Sequence, residues 1–148
     1  SCIEDQIYLK ELMHSNMANW YDNLQIIGNA GLFYVSYKLT ILGWNVLVTS
    51  RNTAGPDILL FSRLARTKHT IQVKSSSDQR DCNIGQPKNF LMSDFAVICG
   101  NLKNKPEMYI AKTTDFELTP SAAGHYIKRK NYLQFRDNFI ILGNPLTS

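Results

Sequence analysis

Between residues 24 and 42, apolar side chains and one glycine recur at Leu24, Ile27, Gly31, Val35, Leu39 and Leu42. Spacings of three and four put all six on one face of a helix of about 19 residues, capped by Asp22 or Asn23. Gly43 follows, where helices commonly stop. An apolar stripe that long needs a partner surface, and the sequence supplies one at once. The runs 44–50 (WNVLVTS), 57–61 (DILLF) and 69–75 (HTIQVKS) read as strands, with Pro56 leading the second. Their connections are short, so the three are expected to form an antiparallel meander. Gly28 and Gly31 each weaken the helix by roughly 1 kcal/mol against Ala, and a close approach to a neighbouring backbone would explain them.

The remaining segments complete a layered domain. Residues 4–19 read as a weakly amphipathic helix, and 75–90 as a loop rich in turn formers. The run 94–100 (DFAVICG) is continuously apolar, as in a strand covered on both faces. Residues 107–112 give another strand, and 131–142 a final helix stopped by Gly143 and Pro145. The expected fold is thus α/β (or α+β), a central mixed sheet with a β-meander core flanked by helices. At 148 residues the chain is long enough for one domain, taken as 1–148.

Composition excludes several classes. Hydrophobic residues make up 44%, which argues against disorder. No apolar stretch reaches the roughly 18 residues of a membrane span, so no membrane association is expected. The start, SCIEDQIYLK, lacks the basic and apolar regions of a signal peptide. Cys2, Cys82 and Cys99 are odd in number and match no zinc or redox spacing, which implies a reducing, cytoplasmic setting. His14, His69 and His125 are scattered. A net charge of +4 permits an anionic partner without demanding one.

Within the third strand run, Gln72 and Lys74 lie two apart and share a face. Treating 57–61 and 69–75 as a hairpin sets Asp57 roughly opposite Lys74, and Leu59 roughly opposite Gln72. An acid, an amide and an ammonium then converge at one end of two central strands. Asp57, Gln72 and the Val73 carbonyl offer hard oxygens suited to Mg²⁺ or Mn²⁺. Lys74 can hold a phosphate and orient water. An exposed Asp–Lys pair at a strand end, worth about 0–1 kcal/mol, is the plainer reading of the same spacing.

Taken together, these motifs resemble the PD-(D/E)XK nuclease superfamily, with its restriction-endonuclease-like fold. Pro56-Asp57 match its first element and Gln72-Val73-Lys74 its second, with Gln in place of Glu. Gly28-Asn29-Ala30-Gly31 match the opening of the preceding helix. The resemblance spans about residues 24–76. It implies a metal-dependent DNA endonuclease in which Asp57 and Gln72 bind Mg²⁺ or Mn²⁺ and Lys74 acts with the water. Two departures stand out: Leu32 replaces a frequent Glu, and Gln72 leaves one formal negative charge where two are usual. A catalytically degenerate module that binds nucleic acid or serves in assembly is the alternative. Cutting both strands takes two sites, so a homodimer is expected.

Candidate phosphate contacts are Arg51, Arg63, Arg66 and Lys68, with Lys128, Arg129 and Lys130 as a second cluster between Tyr126 and Tyr132. Ser75, Ser76 and Gln79 follow Lys74 and can donate to phosphate or base edges, although turn formation explains them nearly as well.

Overall fold

The computed structural model describes residues 2–15, 23–50 and 54–148. Helix α1 (Cys2–Ser15) covers the described part of the first expected helix; residues 16–19 of that expectation lie outside. Helix α2 (Leu24–Ile41) is the long one. Asn23 caps it, its side-chain oxygen accepting from the N–H groups of Gln25 and Ile26 at 3.0 and 3.2 Å. Gly43 ends it with φ of 105°, a conformation that favours glycine. Ile27, Gly31, Leu32, Val35 and Leu39 are buried along the expected face, whereas Leu24 and Leu42 at its ends are exposed.

Strands β1 (Asn45–Val48), β2 (Ile58–Phe61) and β3 (Lys68–Ser75) form the antiparallel meander. Strand β5 (Phe95–Gly100) then pairs parallel to β3, and β6 (Glu107–Lys112) antiparallel to β5. The result is a mixed five-stranded sheet in the order β1-β2-β3-β5-β6. Every residue of β5 is buried, as its unbroken apolar run requires.

Alternation along the strands divides the core into two layers. Leu32, Val35 and Leu39 of α2 pack on Ile58, Leu60, Ile71 and Val97. On the other face, Ala96, Ile98 and Tyr109 pack beneath Cys82, Ile84, Ile127 and Tyr132. That second layer departs from expectation. Residues 75–90 are not merely a loop: they contain β4 (Cys82–Gly85) and the one-turn helix α3 (Pro87–Phe90). Strand β4 joins β7 (Thr119–Ser121) and β8 (Gly124–Ile127) in a small antiparallel sheet ordered β4-β8-β7.

The expected helix over 131–142 is also broken up. A single turn, α4 (Arg129–Tyr132), passes into short 3₁₀ turns at Leu133–Phe135 and Phe139–Leu142. Between them Arg136 bridges to Tyr109 on β6, the Asp137 N–H donates to the Met108 carbonyl at 2.9 Å, and Asp137 takes φ of 50°. Pairing with the open side of β6 outcompetes helical continuation here.

Among the described residues no helix is long and apolar enough to cross a membrane.

Candidate active site

Asp57 stands just before β2, at the end of the meander. Thr49 pins the approach: its N–H donates to the Asp57 carbonyl at 2.9 Å and its hydroxyl to the Pro56 carbonyl at 2.6 Å. On the other side the Asp57 N–H donates to the Ile71 carbonyl at 2.9 Å. Strand β2 pairs with β3 as Ile58↔Ile71 and Leu59↔Thr70. The register is therefore two residues from the expected one, and Asp57 meets Ile71–Gln72 where Lys74 was expected. An even slip keeps every side chain on its expected face, so the trio still converges.

The convergence is direct. One carboxylate oxygen of Asp57, Oδ2, accepts from Gln72 Nε2 at 2.8 Å and from the Val73 N–H at 2.8 Å. Two donors on one oxygen fix the carboxylate and stabilise its charge. Asp57, Val73, Lys74 and Ser75 line a cleft of about 180 Å³, closed on the far side by Gly28 and Leu32 of α2. All four are half-buried.

Gly31 explains how α2 comes so near. A methyl group placed there would overlap the Ser75 hydroxyl and lie 2.7 Å from its Cβ. The close approach is made to a side chain of β3, not to the backbone as the sequence suggested.

The donor set suits a hard cation in kind. It contains a carboxylate, a side-chain amide and the backbone carbonyl of Val73, all oxygen donors. The amide presents its nitrogen to Asp57, so its oxygen would reach a shared ion only after the amide turns over. Among the described residues no three His, Cys, Asp or Glu side chains cluster as a metal site.

The other expected contacts separate into two groups. Ser75 and Ser76 both line a second and larger cleft beside Lys74; the Ser76 hydroxyl also donates to the Asp78 carbonyl at 2.9 Å. Arg129 is turned inward: its N–H donates to Asp81 Oδ1 at 2.8 Å and its guanidinium lies 3.8 Å from the Glu107 carboxylate. Lys130 is exposed on the same turn, and Lys128 just before it is half-buried. Tyr132 is buried and donates to the Arg80 carbonyl at 2.6 Å, so it offers no stacking face. Burial pushes its hydroxyl pKa up to about 12. Arg51 lies outside the described residues. Arg80, Asp81 and Asn83 of the second cleft carry no sequence signal of their own, because only the fold of 75–85 brings them beside Lys74.

A mixed five-stranded sheet between a long helix and a small antiparallel sheet is a fold with a solved counterpart. The chain is similar to Hjc of Archaeoglobus fulgidus, a Holliday junction resolvase from an archaeal hyperthermophile. The TM-score is 0.57 at 14% identity, over 79% of this chain and 96% of that one. At that identity the likeness establishes a shared fold. No protein-family model and no curated protein matches the chain.

Proposed function

We propose that this chain is a metal-dependent endonuclease that hydrolyses DNA phosphodiester bonds, in a restriction, repair or mobile-element setting. The observation that carries the reading is the joining of Asp57 to Gln72 and to the Val73 N–H, at a cleft shared with Lys74. The fold held in common with a junction resolvase supports it, as does the Pro-Asp…Gln-x-Lys pattern.

Asp57 would hold a Mg²⁺ or Mn²⁺ ion through its carboxylate. An extended residue's N–H and C=O leave the strand on the same side, so the Val73 carbonyl faces the Asp57 side and can join the set. Gln72 would complete it through its amide oxygen. Such an ion lowers the pKa of bound water and neutralises phosphate charge. Lys74 would hold the scissile phosphate as a point charge and orient the attacking water. Ser75, Ser76, Lys128 and Lys130 would contact the flanking backbone, while Arg129 supports them from beneath. The free, buried thiols of Cys82 and Cys99 suit a cytoplasmic setting, and a homodimer would bring one site to each strand.

Divalent-dependent nicking of supercoiled plasmid tests this. Asp57→Ala and Lys74→Ala should each lower the rate by a factor on the order of 10² or more. Unchanged nicking in both variants would remove the site from the reaction.

One observation favours a second reading. Gln72 spends its amide hydrogen on Asp57, which keeps the pair satisfied without an ion, as a nucleic-acid-binding module with a degenerate site would. In that case calorimetry would detect no Mn²⁺ uptake while salt-dependent DNA binding persists.

A further inference from the structure

Lys74 and Ser75 belong to two clefts at once. The smaller holds Asp57. The larger, about 470 Å³, opens on the other side of Lys74, between the first turns of α2 and β4. The two clefts therefore meet at Lys74 and Ser75, one lined by Asp57 and the other by a different set of residues.

The second compartment has apolar walls and polar edges. Leu24 and Ile27 come from α2, and Ile98 from β5. Opposite them stand Ser77, Asp81 and Asn83. Asn83 is oriented by its own strand: its Oδ1 accepts from the Gly85 N–H at 2.8 Å, which leaves the Nδ2 hydrogens to donate elsewhere. Asp81 is held in turn by the Arg129 N–H on one oxygen, leaving the other to accept. Lys74 and Arg80, the latter paired with Asp78, stand on the same lining and give a nucleic-acid backbone its charge partners, but a phosphate alone would gain nothing from the exposed aliphatic side chain of Leu24. A flat, apolar-faced ring with donors and acceptors at its edge matches both features. The volume falls in the range of small-ligand pockets, and a base still stacked within a duplex has no free face to lay on an apolar wall.

Resting on the nuclease reading above, we propose that this compartment receives one unpaired nucleobase beside the phosphate held at Lys74. The substrate is then a nucleic acid with an unpaired nucleotide at the cut, such as a branch, flap, bulge or single strand, in preference to continuous duplex. The base lies against Leu24, its edge meeting Asn83 and Asp81. A base already unpaired avoids the cost of leaving the stack, and this is the source of the selectivity.

Binding and cleavage are measured separately, so that the two readings fail separately. Fluorescence anisotropy in Ca²⁺ compares oligonucleotides of one sequence, as perfect duplex and with a single unpaired 2-aminopurine; nicking of the same pair is followed in Mn²⁺. The unpaired form should bind about tenfold tighter, and its 2-aminopurine emission should change on binding. Leu24→Trp, at a position 84% exposed and so tolerant of bulk, fills the compartment. Asn83→Asp keeps the oxygen that accepts from Gly85 while removing the amide donor. In both variants the preference should collapse to near one, with thermal melting confirming the fold. Equal binding of the two forms by the unaltered protein overturns the proposal, as does a preference that survives both variants. A preference lost in both variants but accompanied by no nicking of any substrate upholds the base pocket and overturns the nuclease reading instead.

Discussion

Gln72 decides how the site behaves without an ion. Its amide is a donor to Asp57 at 2.8 Å, a role no ionised carboxylate can fill. Gln72→Glu would set two carboxylates against each other, and like charges at that distance cannot both remain ionised without cost. The variant should therefore be less stable in EDTA, by about 1–2 kcal/mol. Divalent ions should reverse the order, because a second charged oxygen strengthens a hard-cation site. Thermal melting with and without Mn²⁺ reads both effects, and a larger Mn²⁺-induced rise in Tm for the variant is the expected outcome. An unaltered Tm in EDTA would mean that the Gln72–Asp57 bond contributes nothing to the fold. At this scale the convergence of the three residues was legible in the chain. Asp57, Gln72 and Lys74 were marked by their residue types on two neighbouring strands. The direction of the amide was not, since sequence cannot say which end of an amide faces a partner.

Among the elements, α2 faces β3 and the residue that leads β2 across the site, and the separation of α2 from β3 is set at Gly31. Gly31→Ala improves helix propensity by roughly 1 kcal/mol, yet it drives a methyl group into Ser75, a short side chain with little room to move. Overpacking should win, with a net loss of about 1–3 kcal/mol in chemical denaturation. Restoring that stability with Ser75→Gly in the same chain would confirm the contact as the cause. The elements that could be read ahead were those with a strong period or an unbroken apolar run: α2, the meander, β5 and β6. Strands β4, β7 and β8 are three or four residues long, interrupted by Pro120 and Gly124, and carry no period to detect. Residues 131–142 do carry a helical pattern, with Tyr132 and Leu142 buried at its ends. Their backbone is taken instead by β6, through the Tyr109–Arg136 bridge. Local preference lost to an open sheet edge, which must find partners or stay exposed.

Across the molecule, the segment after Lys74 is tied to distant parts of the chain through Glu107, a carboxylate only 8% exposed. Gln79 donates to its Oε1 and the Tyr109 hydroxyl to its Oε2, each at 2.7 Å. Arg129 and Arg136 stand at 3.8 and 4.0 Å. One carboxylate thus joins the loop that lines the groove, the edge strand β6 and the C-terminal turns. The hydrogen bond from Tyr109 leads in holding its pKa below the ordinary 4.5, aided by Gln79, Arg136 and Arg129. The unfolded chain then binds the proton more readily than the folded one. The stabilisation is complete above the ordinary value and is lost as pH falls through the lowered one. Glu107→Gln should be less stable than the unaltered protein by about 1–3 kcal/mol at pH 7, as urea unfolding would show. That gap should narrow steadily once the pH drops below 4.5, where the unaltered chain loses the same charge. A gap constant from pH 7 to pH 3 would place the stabilisation in shape alone. If the gap closes as expected, the charge of Glu107 is what ties the groove wall to the far edge of the sheet.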